Sequence, residues 1–135
     1  MTSSSARFAS DAQVLRYRVT TTLTKDRKAI ASEAWELDGC LHRLHGPALI
    51  EISELTGKTL CETWYSQGLE HRENGPAIIE YDEDDGEAIT LAVWKWHGQL
   101  HRRGGPAVIE YGPSGEIAVA EWWLHGKKIK WNVFE

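Results

Sequence analysis

The feature that most constrains the fold is one motif present in three copies. Gly-x-x-His-Arg-x-x-Gly-Pro-Ala runs from Gly39 to Ala48, from Gly68 to Ala77 and from Gly98 to Ala107. A Trp stands four residues ahead of each first Gly, at Trp35, Trp64 and Trp94. An Ile and a Glu follow each Ala, as Ile50-Glu51, Ile79-Glu80 and Ile109-Glu110. Fixed spacing over three copies is the signature of a repeat architecture. Repeat folds are mostly platforms for binding, so the pattern points to a class of function without naming a partner.

Each copy reads as two strands and two turns. Pro fixes φ and cannot donate to a ladder, so Gly-Pro belongs at a strand start. Strands are expected over Ala48–Ile52, Ala77–Tyr81 and Ala107–Tyr111. Turns follow at Gly57, Asp85-Gly86 and Pro113 to Gly115. A second strand then enters each Trp, and a tight turn at Gly39, Gly68 or Gly98 returns the chain. Upstream, Val14–Thr24 is β-branched and alternates, and Lys25–Lys28 is a polar turn. At the far end Trp122 and Gly126 keep the pattern, but Ile129-Lys130 fill the His-Arg slots. Lys127, Lys128, Lys130 and Asn132 make a polar closing edge. No stretch shows helical periodicity.

The expected fold is therefore all-β: an antiparallel β-hairpin repeat array, a curved single-sheet meander. It has three full units and degenerate half units at both ends. A flexible tail is expected over 1–12 and a single domain over 13–135. The units fall at about 13–34, 35–63, 64–93, 94–121 and 122–135.

From Trp35 to Gly126 the chain resembles the MORN and MORN-like repeat families. Its units look like the W-x3-G-x2-H-R-x2-G-P-A repeats of small bacterial and phage proteins. They are longer than the MORN unit and lack its Tyr/Gly spacing. The resemblance implies a hairpin array with an interaction role, and some MORN-like proteins are antitoxins.

The net charge of −5 argues against a general nucleic-acid binder, and no direct nucleic-acid contact is expected. Met1 to Ser10 has no apolar core and is not a secretory signal, and no apolar run reaches the ~20 residues of a membrane span. Cys61 shares its slot with Leu91 and Val119 and reads as a small buried hydrophobe, whereas Cys40 follows a turn Gly and reads as exposed. An unpaired set of thiols suits the cytoplasm, the host cytoplasm if the chain is phage-encoded.

The replicated polar residues have structural readings. His42, His71 and His101 are each expected to bond a turn carbonyl and hold the Gly-Pro corner. Equivalent His stand ~10 Å apart if each unit adds two strands, too far to share one zinc, so neither metal nor cofactor is expected. Arg43, Arg72 and Arg102 each precede a Glu by eight residues, suggesting an ion-pair ladder to Glu51, Glu80 and Glu110. An active site is usually built once, and no nucleophile stands beside a base at a singular position, so catalysis is the weakest reading.

Two features are singular. Glu80 to Glu87 carries six carboxylates in eight residues. Trp96 and Tyr65 extend the Trp ladder. By alternation Ile89, Leu91 and Val93 share one face while Trp94 and Trp96 share the other. Either a bulge resets the register before each Trp, or the sheet has two apolar faces. The site expected from the sequence is a partner contact centred on Asp82, Glu83, Asp84 and Asp85, with Tyr65 and Trp96 as apolar anchors. The partner would be a heterologous protein with a basic surface. The expected function is non-catalytic inhibition of that protein, as a phage anti-defence or anti-CRISPR-like factor, an antitoxin or an immunity protein. The alternatives are a structural module that self-assembles, with a homodimer formed through an edge or the Trp face, and an uncharacterised enzyme.

Overall fold

In a computed structural model, residues 14–130 are described; the expected tail, Asn132 and the outer limits of the domain lie outside them. The described residues form strands and turns with no helix, so none is long and apolar enough to cross a membrane. The long strands are β1 (Arg18–Leu23), β2 (Ile30–Leu37), β4 (Leu49–Ile52), β5 (Thr59–Thr63), β8 (Ile78–Tyr81), β9 (Ile89–Val93), β12 (Val108–Tyr111) and β13 (Ile117–Leu124). Between them lie short strands: β3 (Cys40–Leu41), β6 (Tyr65–Ser66), β7 (Leu69–Glu70), β10 (Lys95–Trp96), β11 (Gln99–Leu100) and β14 (Lys127–Ile129). The sheet runs β1-β2-β4-β5-β8-β9-β12-β13-β14 and every pairing in it is antiparallel. The expected meander is what forms.

The short strands close two-residue hairpins. Leu37 pairs with Cys40, Ser66 with Leu69, Trp96 with Gln99 and Leu124 with Lys127. The loop residues all have positive φ: Asp38-Gly39, Gln67-Gly68, His97-Gly98 and His125-Gly126. That is the type I′ turn, whose twist matches the right-handed twist of its strands. Each Gly was legible as a turn residue for this reason.

Among the described residues no second large sheet or helix packs on this one, whose only companions are the two-stranded hairpins β6-β7 and β10-β11, and the core is correspondingly thin. Its buried apolar members are Ala48, Ala77, Ala107, Ile79, Ala92, Val93 and Ile109. The three Ala are fully excluded from solvent and stitched on both sides. The Ala77 carbonyl accepts from the Trp64 N–H at 2.7 Å, and its own N–H donates to the Val93 carbonyl at 2.8 Å. Ala48 and Ala107 repeat this with Trp35 and Thr63, and with Trp94 and Glu121. A residue so enclosed has room for a methyl and little more.

The register settles the two readings of the Trp ladder. Register shifts lie at Thr22/Leu23, Glu51/Ile52, Glu80/Tyr81 and Glu110/Tyr111, and each leaves one extra residue, Ala31, Leu60, Thr90 or Ala118, on the strand that leads into a Trp. A bulge therefore precedes each Trp, as the first reading expects, and sets Ile89 opposite Tyr81, on the face of Ile79 and Trp94; beyond it Leu91 and Val93 still face away from Trp94, so the second reading holds as well. The sheet has two partly apolar faces. Glu33 opposes Ile50, so Trp35, two residues on, lies on the Ile50 face, and Glu51 points to the other.

That geometry overturns the ion-pair ladder. Arg43, Arg72 and Arg102 do not reach Glu51, Glu80 and Glu110. Each guanidinium carbon lies over the Trp of its own copy, 3.7 Å from the Trp35 ring centroid and 3.9 Å from those of Trp64 and Trp94. Each donates through Nη1 to the carbonyl of the following Pro: Pro47, Pro76 or Pro106, at 3.1–3.2 Å. The Glu residues are exposed on the opposite face, separated laterally by Cys61 and Leu91. The spacing of eight residues reflected two separate placements. Among the described residues the ion pairs are instead Lys95–Glu70 and Lys128–Glu121.

The cation–π clamp also explains the Gly of Gly-Pro-Ala. A Cβ at Gly46, Gly75 or Gly105 would stand 2.9, 3.0 or 2.8 Å from the guanidinium carbon beneath it. Gly75 additionally has φ +155°. Gly75→Val is therefore expected to lift Arg72 off Trp64 and to cost about 1–3 kcal/mol. Urea unfolding followed by Trp fluorescence measures it; an unchanged midpoint would refute the clamp.

Candidate functional site

The two ends of the long strands differ in chemistry. One end carries the hairpin tips, residues 24–29, 53–58, 82–88 and 112–116. The other carries the I′ hairpins and the Gly-Pro corners, here termed the corner edge. All six His of the chain, His42, His45, His71, His97, His101 and His125, fall on the corner edge.

Three of these His couple neighbouring hairpins. The Nδ1 atoms of His42, His71 and His101 accept the backbone N–H of Gln67, His97 and His125, each at 2.9 Å. The donors are the first residues of the next I′ turns. The adjacent Gly68, Gly98 and Gly126 donate to the carbonyls of Leu41, Glu70 and Leu100 at 2.8–2.9 Å. Each hairpin is thus latched to the one before it. The sequence reading had the His bonding a carbonyl of its own corner; the ring instead accepts, and its partner is the next turn. The period of the motif held this signal, because each of these His lies 24–26 residues ahead of its donor.

Where the donor residue is itself His, the rings meet, stacked at His71–His97 and tilted by 34° at His101–His125. His71–His97 and His101–His125 centroids are 4.2 Å apart. Trp96 joins them edge-on, 4.4 Å from His71, 5.3 Å from His97 and 6.5 Å from His101. Loss of water pushes the His71 and His101 imidazoles below the ordinary His range. The neighbouring His97 and His125 add to this, with Glu73 opposing it at His71 and Arg103 reinforcing it at His101.

The acidic loop is an ordered tip at the other end. Asp82 Oδ1 accepts the N–H groups of Asp84 and Asp85, at 2.9 and 3.0 Å. The Ser53 hydroxyl donates to Glu83 Oε2 at 2.7 Å, and Lys58 Nζ donates to the Asp84 carbonyl. The Lys58 chain lies where a Cβ of Gly86 would be, 2.6 Å away. Glu83, Asp84 and Asp85 remain exposed.

The structure does not bring the expected site together. Asp82 to Asp85 precede β9, and Trp96 follows it at the opposite end. Tyr65, half-buried, lies on the corner edge with Trp96. The net charge, read from the sequence as excluding a basic surface, is segregated between the two ends of the strands. The corner edge (38–47, 65–76, 95–106 and 123–130) holds Arg43, Arg72, Lys95, Arg102, Arg103, Lys127, Lys128 and Lys130 against Asp38, Glu70 and Glu73. A basic edge is thus hidden inside a total of −5. Arg103, Lys95, His97 and His125 went unread as site residues, although all fall between a ladder Trp and the following Gly-Pro, or in the truncated last copy.

Three clefts line this edge in series. The first, about 540 Å³, lies between the corners 42–45 and 71–74, over Trp64 and Tyr65. The second, about 470 Å³, lies between Arg72–Gly75 and His101–Arg103, over Trp94 to Trp96. The third, about 760 Å³, lies between Arg102–Pro106 and Trp122 to Ile129. All fall within the size range of ligand sites.

The thiols offer little chemistry. Cys61 is half-buried, and burial, with Glu51 and Glu80 abreast on the flanking strands, pushes it up to about 11. Cys40 is exposed, and the two are unpaired. Among the described residues no three His, Cys, Asp or Glu side chains converge to hold a metal ion. No family model, curated protein or solved structure matches the chain.

The latch predicts a pH dependence. A His whose folded value lies below its unfolded one binds more protons when unfolded. Its stabilisation is complete above the unfolded value and is lost as pH falls through the folded one. Stability is therefore expected to drop from about pH 7.5 to about pH 5.5. Replacing His71 and His101 by Gln is expected to flatten that drop. Denaturant midpoints across the range measure it; an equal slope in wild type and double variant would refute the latch.

Proposed function

We propose that this chain is a non-catalytic protein-binding module that engages its partner along the corner edge. One observation carries this reading: Trp96 is 38% exposed at the centre of that edge. Trp35, Trp64 and Trp94 are half-buried under Arg clamps and are accounted for by folding. Trp96 is not, since its slot holds Leu37, Ser66 and Leu124 in the other hairpins. Exposed Trp beside cations is the composition of interface hot spots. The narrower reading is an inhibitor, of the phage anti-defence or antitoxin kind that the repeat resemblance implies.

Binding kinetics of a partner captured on the immobilised chain test this. Trp96→Ala is expected to speed dissociation by about tenfold or more while leaving the melting temperature near wild type. Asp84→Asn/Asp85→Asn is expected to leave dissociation unchanged, because the tip lies at the other end of the strands. The reverse pattern would move the contact to the tip, and no effect of either would overturn the proposal. Loss of the partner's own activity in the complex would support inhibition.

Self-assembly has one observation of its own. All residues of β1 are exposed, and beyond β1 no strand pairs among the described residues. An open edge is a template for another chain. Sedimentation of the free protein decides it: a concentration-dependent oligomer favours assembly, and a monomer removes it.

A further inference from the structure

The corner edge repeats its geometry, and the repetition specifies what would fit it. Arg43 and Arg72 line the first cleft, Arg72 and Arg102 the second, Arg102 and Arg103 the third. Successive clefts therefore share an Arg wall, and the clamped guanidiniums stand in a row. Each of Arg43, Arg72 and Arg102 is seated over a Trp ring and has its Nη1 held by a Pro carbonyl. A guanidinium has five N–H donors in a rigid fork. Among the described residues the Pro carbonyl is the acceptor that each one has, so most of the fork is unspent. An Arg held in place loses little side-chain entropy on binding, and its fork matches a carboxylate.

We infer that the corner edge binds an extended acidic polypeptide segment of the partner, laid across the hairpins with one carboxylate entering each cleft. This rests on the protein-binding reading above and names the chemistry of its partner. The spacing is set by the sheet. Each hairpin adds two strands at about 4.8 Å, so clefts repeat every ~10 Å. A chain in the extended polyproline II conformation advances about 3.1 Å per residue with three residues per turn, so acidic side chains three residues apart point the same way and fall into successive clefts. Charge complementarity selects the occupant, since the edge carries an excess of cations while the chain as a whole is acidic. Single-stranded nucleic acid fits less well. It needs aromatic faces on which bases stack, and Trp35, Trp64 and Trp94 are each covered by a guanidinium. Glu73 lines the first and second clefts and opposes the cations there, whereas Arg103 lines the second and third, so the third cleft, with Arg103 and without Glu73, is the strongest for a carboxylate.

The test uses the full chain and synthetic peptides, read by Trp fluorescence and calorimetry. One peptide carries three Glu, each separated by two Gly or Ser residues. A second has the same composition with the three Glu adjacent. The spaced peptide is expected to bind at least about fivefold more tightly. Arg103→Glu, at an exposed side chain with no hydrogen bond among the described residues, is expected to remove that advantage without changing the melting temperature. Equal binding of the two peptides, or no binding at low ionic strength, would overturn the inference. Tighter binding of an oligothymidylate than of the spaced peptide would assign the edge to nucleic acid and overturn it too. A partner that contacts Trp96 while neither peptide binds would leave the protein-binding reading standing and this inference refuted.

Discussion

The seating of a guanidinium over an indole, roofed by a glycine, is the contact on which the fold depends. A single sheet offers no second layer, so its apolar face must be covered by its own side chains. Arg supplies that cover. Its cation lies over the Trp ring, its Nη1 is satisfied by a carbonyl four residues on, and the missing Cβ of the Gly leaves room above it. Cation–π pairs contribute about 0.5–2 kcal/mol each depending on how dry they are. Three such clamps are a substantial share of the 5–15 kcal/mol by which a domain of ordinary stability stays folded.

The clamp and the latch divide the work. The clamp acts within one motif copy, between a Trp and the corner that follows it. The latch acts between copies, from a His to the turn one hairpin further on. Ala48, Ala77 and Ala107 sit where the two meet, bonded on both sides and closed to solvent. The His, Arg and Ala slots of the motif thus each have a partner no farther away than the adjacent hairpin. Stability in such an array is a sum over neighbours. The hairpin tips at the other end follow the same rule: the Lys25 N–H donates to Glu54, and Ser53 donates to Glu83.

Much of the architecture was legible because backbone demands recur in the sequence. Positive φ at Gly39, Gly68 and Gly98, and Pro at each strand start, leave marks that spacing alone reveals. Side-chain pairings were less legible. The separation of Arg43 from Glu51 looked like a cross-strand ion pair, but Arg43 lies over Trp35 on the Ile50 face while Glu51 points to the other. Residue spacing reports that two positions move together along the chain, and it does not report the face each occupies. The candidate site failed for a related reason. Asp85 and Trp96 are close in sequence, yet a strand separates them, so nearness along the chain became distance in space. Net charge misled by averaging over two ends of opposite sign.

In each latch the donor is a peptide N–H, which every residue but proline possesses. Gln67, His97 and His125 serve equally, and the side chains they add are free to drift. A new hairpin inserted between two old ones meets a ready acceptor behind it and offers a ready donor ahead. Duplication therefore needs no matching change in the neighbours. The array is lengthened by copying alone, and the basic row along its edge lengthens with it, one guanidinium per copy.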